Sequence, residues 1–384
     1  MNFALDAEQM AFQDSVRRFA ESRLATGALK RAHDPDYPWE VAAMLAEQGL
    51  LGITLPERDG GQGGTLFDAV IAIQELARVC PKSADVVQAG NFGAIRTFAE
   101  YASDEQKARY LPDLLAGKTL IGLGMSEPEA GSAVTELRTT ATADGDEYIV
   151  DGTKLWSTHS ADSSLYLVYV RFGPGLDGIG SVLVERDTPG LTLGPPETFM
   201  SGERWVQLYF DGCRIPRGQL LLGPGGFKKQ IAGFNVERIG NAARALAVGR
   251  HAFEVARDHV LTRKQFGRPL AEFQGLNWMF AEVAVKLDAA QLLLYRAASA
   301  EALPSAYDTA TAKLACNRAG FEAADLAVQA MGASGYSQNL IVEYCFRRTR
   351  GWMIAGGSTE ILKNRIAEEV FGRRFDQRPV KANG

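Results

Sequence analysis

The sequence predicts an α+β multidomain chain, with a helical N-terminal domain over residues 1–118, a central β domain over 119–226 and a C-terminal helical bundle over 227–384. Three observations lead there. The 384 residues are too many for one ordinary core, so two or three domains are expected. Short β-rich runs broken by Gly, Asp and Pro fill only the middle of the chain. On either side of them, apolar residues recur at helical spacing.

In chain order, Asp6 reads as an N-cap, followed by apolar positions Met10, Phe12, Val16 and Phe19. The segment from Ala69 to Val79 is apolar-periodic, with capping groups Thr65 and Asp68 before it and Pro81 closing it. The run Gly60-Gly61-Gln62-Gly63-Gly64 has no Lys-Ser/Thr ending and follows no clear strand, so it reads as a loop between helices and not as a phosphate-binding loop. Tyr148–Val150, Leu165–Val170, Ser181–Val184 and Val206–Phe210 read as strands, with Asp144-Gly145-Asp146 as a hairpin turn. That pattern makes a small barrel or sandwich. Beyond Gly226, the stretches Val236–Leu261, Phe273–Ala300, Tyr307–Met331 and Ser358–Phe371 are long and rich in Ala, Leu, Glu and Arg, which suits a four-helix bundle.

Composition narrows the function. A net charge of −5 gives no electrostatic footprint for nucleic acid. No run of ~18 apolar residues appears, so no membrane span is expected. The N-terminus carries no basic-then-apolar signal, and the four cysteines (Cys80, Cys213, Cys316, Cys345) are far apart; a cytoplasmic chain with reduced thiols is the simplest expectation. No HxxxH, HExxH or CxxC occurs, so no metal is expected.

Several short segments carry chemistry. Met125-Ser126-Glu127-Pro128-Glu129-Ala130-Gly131-Ser132 is a turn rich in hydroxyls and accessible N–H groups. Gly152-Thr153-Lys154-Leu155-Trp156-Ser157-Thr158 puts an indole and a hydroxyl two residues apart, on one face of a strand. Further on come Phe234-Asn235-Val236-Glu237-Arg238-Ile239, Arg263-Lys264-Gln265-Phe266-Gly267, Gln329-Ala330-Met331-Gly332-Ala333-Ser334-Gly335-Tyr336, and Ile354-Ala355-Gly356-Gly357-Ser358-Thr359-Glu360-Ile361-Leu362.

In this order the segments resemble the acyl-CoA dehydrogenases over nearly the whole chain. The resemblance implies that family's fold, with a β-barrel-like middle domain, and FAD as cofactor. It implies that Met125, Ser126, Ser132, Trp156 and Thr158 lie at the flavin, with Thr158 bonded to N5 and Ser132 near the flavin and CoA phosphates. It implies that Arg263, Phe266, Gln274, Gln329 and Gly332 reach the flavin of a neighbouring subunit, hence a homo-oligomer, a homotetramer or dimer. Ser358 and Glu360 would touch flavin at the end of the last turn. An acyl-CoA substrate is implied, met by Ser132, Asn235 and Arg238, with an electron-transferring flavoprotein as electron acceptor.

Several positions depart from the usual pattern, among them Glu129, which stands where a glycine is common. Most of the family carries its proton-abstracting glutamate where this chain has Gly356, which retains only the N–H that polarises the thioester carbonyl. The long-chain and isovaleryl branches are similar to this chain in placing a glutamate in the earlier helix, at Glu237, and Glu237 is therefore expected to take the α-proton. Glu360 is the rival carboxylate. Ala333 replaces a glycine, and Arg348 stands where an acid is usual. Asp85, Gln88 and Asn91 would border the acyl pocket and keep a short or polar acyl group open. The same stretches also resemble CoA-ester reductases and desulfinase-like lyases, the latter in Tyr37-Pro38-Trp39 and Phe266-Gly267-Arg268-Pro269-Leu270. A third class, a DNA-binding flavoprotein, is disfavoured by the pI of ≈ 5.6.

Overall fold

The structure is a computed structural model and describes residues 4–300 and 303–375. Seven helices open it: α1 (Ala7–Arg23), α2 (Ala28–His33), α3 (Trp39–Glu47), α4 (Leu66–Val79), α5 (Pro81–Asn91), α6 (Ala94–Tyr101) and α7 (Asp104–Leu115). Asp6 and Thr65 close reciprocal capping boxes with Gln9 and Asp68, each side chain satisfying the other end's free N–H. Pro81 ends one helix and opens the next, filling a first-turn position where no backbone donor is missed.

The middle of the chain holds strands β1 (Ile121–Gly124), β2 (Thr140–Asp144), β3 (Glu147–Lys154), β4 (Leu165–Arg171), β5 (Ile179–Glu185), β6 (Leu191–Leu193), β7 (Glu197–Thr198), β8 (Arg204–Trp205), β9 (Leu208–Pro216) and β10 (Leu220–Leu222). The main sheet runs β10-β5-β4-β2-β3-β9-β6, with β1 paired parallel to β4. Asp144 pairs with Glu147 across the two-residue turn that the sequence signals. The barrel-like expectation is corrected here: β10 and β6 remain unjoined edges, and the sheet is open. One face of β4 and β5 lies against α6 and α7, which bury its apolar side chains.

The chain then returns to helices: α8 (Phe227–Thr262), the small hairpin β11 (Lys264–Gln265) and β12 (Arg268–Pro269), α9 (Gln274–Ala298), α10 (Ala306–Met331), α11 (Ala333–Tyr336), α12 (Val342–Trp352) and α13 (Thr359–Val370). Helix α8 begins nine residues before the expected Val236, across Gly233, which weakens the helical signal. Helix α12 was not anticipated. The two helical ends of the sequence share one core: residues of α1, α3, α4 and α5 pack with those of α8, α9, α10 and α12 in a single buried cluster. Helices α8 and α10 touch backbone to backbone, since a Cβ at Gly249 would stand 2.3 Å from the Gly320 Cα. This contact brings side chains of α10 within reach of those on α8.

Candidate active site

Glu237 lies on α8 where α5 crosses it. The amide of buried Gln88 on α5 donates to both carboxylate oxygens, at 2.8 and 2.7 Å. Burial raises the Glu237 carboxyl to about 7, against the opposing pull of Arg244, Lys313 and the Gln88 hydrogen bond. A carboxylate with that affinity can take a proton near neutrality. Glu360 behaves in the opposite way: it is exposed, and the Thr359 hydroxyl bond at 2.7 Å holds it below the usual carboxylate range. Of the two candidate bases, only Glu237 has a base-like environment.

The turn at Gly356 and Gly357 joins α12 to α13. Both residues have positive φ, 72° and 91°, a region that costs an L-residue about 1 kcal/mol or more. A Cβ at Gly356 would stand 3.3 Å from Cε of Lys313 and 3.5 Å from Nδ2 of Asn241. The space a side chain would claim is thus occupied by α8 and α10. Beside the turn, Arg238 is buried, donates to Asn235 Oδ1 at 2.8 Å, and keeps its Nε without a partner. Burial and nearby Arg365 bring Arg238 down to about 10, as expected of a cation awaiting an anion. Ser358 caps α13, accepting from Ile361 N.

The two segments read as flavin-contacting are joined to each other. Leu155 N donates to Ser126 O at 3.0 Å, and Ser157 Oγ donates to Leu123 O at 2.8 Å. Lys154, fully buried, bonds Glu127 Oε1 at 2.7 Å and lies 3.3 Å from Met125 O. Burial lowers Lys154 to about 8 even with Glu127 beside it. Sequence reasoning missed this pair, although a Lys inside one motif and a Glu inside the other were in view. Strand β3 ends at Lys154 and Trp156 has φ 61°, so the expected regular strand stops short. The alternation persists all the same: Leu155 and Ser157 are buried, Trp156 and Thr158 exposed. Trp156 is 56% exposed and leans on Trp205, with ring centroids 4.3 Å apart, and on Phe199. The open aromatic face of Trp156 offers a surface on which a planar ring can stack; Ser132 is exposed.

The remaining cofactor candidates are Arg263, Phe266, Gln274, Gln329 and Gly332. All five are exposed, Phe266 at 94%. From Glu237 to the end of α8 is about 38 Å at the α-helical rise. Within a single chain, Arg263 cannot serve the Glu237 site.

Arg348, which the sequence left unexplained, has a clear environment. It is buried and paired with Asp85 at 2.9 Å and with Glu203, while Arg244 also bonds Asp85 at 2.9 Å. Both guanidiniums lie over Trp352, at 5.0 and 4.7 Å from the ring centre. Burial alone would raise Asp85, but Arg348 and Arg244 hold it below its ordinary value; Glu203 is pushed up by burial. Asp85 is therefore committed to ion pairs, and Asn91 to backbone groups of Leu50, Thr54 and Val87. Of the three polar α5 residues, Gln88 alone meets Glu237. His159 is also close to this network; burial lowers it to about 4, so it stands neutral, its ring edge-on to Tyr37.

The chain thus combines a half-buried carboxyl of raised proton affinity, a glycine turn and an open aromatic face on an α–β–α scaffold. Comparison with known proteins makes the class specific. Three family profiles match in sequence: "Acyl-CoA dehydrogenase, N-terminal domain" over residues 6–118, "middle domain" over 122–213 and "C-terminal domain" over 224–371. The 3-sulfinopropanoyl-CoA desulfinase of Paraburkholderia xenovorans (strain LB400) is 36% identical, covering 98% of this chain and 99% of its own. The acryloyl-CoA reductase (NADH) of Anaerotignum propionicum is 33% identical, covering 97% of each. A glutaryl-coenzyme A dehydrogenase in complex with glutaryl-CoA superposes with a TM-score of 0.93 at 28% identity, covering 98% of both chains. The chain belongs to the acyl-CoA dehydrogenase family. Its cofactor is FAD.

Proposed function

We propose that this protein dehydrogenates an acyl-CoA thioester between Cα and Cβ, with Glu237 as the base. Bound FAD supplies the acceptor for the β-hydride at N5. Glu237 removes the α-proton; the Gly356 N–H, with no side chain in its way, donates to the thioester carbonyl as charge builds there. The electrons of the broken Cα–H bond become the new double bond as hydride leaves Cβ, so the carboxyl gains one proton and the substrate loses two hydrogens. Trp156 and Thr158 would flank the flavin, Met125, Ser126, Ser132, Ser358 and Glu360 would complete its contacts, and Asn235 and Arg238 would meet CoA. The unpartnered Nε of buried Arg238 supports an anionic ligand there. The exposed Arg263, Phe266, Gln274, Gln329 and Gly332 support a homo-oligomer, a tetramer or dimer, in which these residues serve a neighbour's cofactor. An electron-transferring flavoprotein is the acceptor, and the cytoplasm, where four buried thiols stay reduced, is the setting.

The observation that carries this reading is the contrast between Glu237, raised to about 7, and ionised, exposed Glu360. A second reading, lyase or reductase chemistry on the same kind of thioester, draws support from the desulfinase and acryloyl-CoA reductase relatives. A lyase expelling sulfinate has no need of an α-proton base, and Glu237 counts against it. Anaerobic mixing of the protein with a panel of acyl-CoA esters, following flavin absorbance, separates the two. Bleaching by a saturated ester that is lost in Glu237→Gln supports the dehydrogenase. Bleaching that survives the substitution rejects Glu237. No bleaching with any saturated ester, together with sulfite release or enoyl reduction, rejects the dehydrogenase reading.

A further inference from the structure

One buried cation near the turn has no part in the chemistry so far. Lys313 sits in the middle of α10, within the apolar run Ala312-Lys313-Leu314-Ala315-Cys316, and is fully buried. Its ammonium donates to Trp352 O at 3.1 Å and to Gly357 O at 3.0 Å. Trp352 is the last residue of α12, where carbonyls have no intrahelical donor. Gly357 lies on the far side of the turn. The two bonds therefore clasp both ends of the segment that contains Gly356. One turn along α10, Asn317 strengthens the clasp by donating to Trp352 O and to Asn241 Oδ1 at 3.2 Å.

A buried ammonium is costly, and an aliphatic residue of the same length would fill the space without that cost. Burial, aided by the nearby charge of Arg238, pushes Lys313 down to about 7, while Glu237 opposes the fall. The charged groups that bear on Glu237 are Arg244 from its own helix and Lys313 from α10, with Gln88 of α5 as its hydrogen-bond donor. Those that bear on Lys313 are Glu237, Arg238 and Arg244, all from α8. Lys313 thus holds the turn by hydrogen bonds and also acts on the carboxylate.

We propose that Lys313 is a positioning residue for the reaction: it fixes the Gly356–Gly357 turn so that the Gly356 N–H faces the thioester carbonyl, and it lends its charge to the Glu237 carboxylate. This rests on the dehydrogenase reading for the identity of the reacting atoms. No covalent bond forms to Lys313, and the ammonium need not give up a proton. The two halves of the site, base and carbonyl donor, come from α8 and from the α12–α13 turn, and α10 ties them together.

The test uses the FAD-loaded protein and two probes. A saturated acyl-CoA reports proton and hydride loss together through flavin bleaching. Acetoacetyl-CoA, which has an acidic α-proton, reports proton removal alone through the absorbance of its enolate. In Lys313→Met, FAD content and the Kd for acetoacetyl-CoA at low pH are expected within about threefold of wild type. The bleaching rate is expected to fall about 10²-fold or more, and the pH midpoint for enolate formation to rise by about one unit, since Glu237 has lost a favourable cation. Parallel losses in FAD content, Kd and rate with an unmoved midpoint would mean a merely structural lysine and overturn the proposal. Should Lys313→Met fail to hold FAD, Lys313→Arg decides: charge and donors are kept, so a midpoint within a few tenths of wild type with a rate above one-tenth supports the proposal, and a midpoint shifted upward defeats it. If the wild type ionises acetoacetyl-CoA but no saturated ester bleaches the flavin, the dehydrogenase reading has failed, and the acetoacetyl-CoA midpoints still judge Lys313.

Discussion

Replacing Glu237 by Gln should make the folded protein increasingly more stable than wild type as pH rises from about 4.5 to about 7, with the full difference above that range. The carboxyl is held at about 7 in the folded chain against 4.5 for an ordinary glutamate. Its folded pKa is raised, so the folded state binds more protons than the unfolded one between those values, and stability falls as pH climbs through that window. The difference of 7 − 4.5 = 2.5 units corresponds to about 3 kcal/mol at 1.36 kcal/mol per unit. Glutamine removes this dependence. It also disturbs the Gln88 hydrogen bonds, a pH-independent cost of about 1 kcal/mol, so the informative quantity is the change in the mutant–wild-type difference with pH. With an unfolding entropy of roughly 2.1 cal/mol/K per residue, about 3 kcal/mol becomes a relative gain in Tm of about 4 °C between pH 4.5 and pH 8.5. Thermal unfolding of both FAD-loaded proteins across that range is the assay. A difference in Tm that stays flat with pH would refute the claim that burial holds a proton on Glu237, whatever the activity does.

Other outcomes follow from the same geometry. The rate of flavin bleaching by a saturated ester should rise with pH through about 7 and then level off, because the base acts only when ionised; Glu237→Gln should lower it by roughly 10²–10⁴-fold, while Glu360→Gln leaves the midpoint in place. Trp156→Ala should cut the FAD retained after gel filtration while leaving the folding of the β domain intact, since the ring is largely exposed; unchanged FAD content would place the flavin elsewhere. Arg348→Met should destabilise by about 3–5 kcal/mol by stranding Glu203 and half of the Asp85 charge, and Glu203→Gln in the same chain should restore part of it; denaturant unfolding reads both.

Much of the architecture was legible in the sequence because it rests on local signals. Capping groups at Asp6 and Thr65, the Asp144–Glu147 hairpin and the periodic helices each depend on a few neighbouring residues. The open sheet was not legible: whether β10 meets β6 depends on the twist accumulated over the whole sheet and on α6 and α7 lying across it. Helix α12 escaped because its arginines look like a solvated run. Arg348 is instead buried against acids at positions 85 and 203, partners that no local pattern reveals. At the site, the resemblance pointed to Glu237 and Gly356, whereas Gln88, Lys313 and the Glu127–Lys154 pair emerged only from packing. Lys313 did leave a trace, a lone charge in an apolar helical run, which fits a buried group with a specific partner better than a surface residue.

Helix α8 carries the candidate base near one end and the Arg263–Phe266 hairpin at the other, as one continuous helix with no proline between them. It therefore acts as a ruler with a phase. Deleting one residue between Arg238 and Thr262 would shorten it by about 1.5 Å and swing everything beyond by about 100°. The hairpin would then point away from any neighbour it had faced, with the base untouched. Sequence change along this helix can proceed by substitution, but length and rotation are locked together, and the two ends of the molecule must keep the same count.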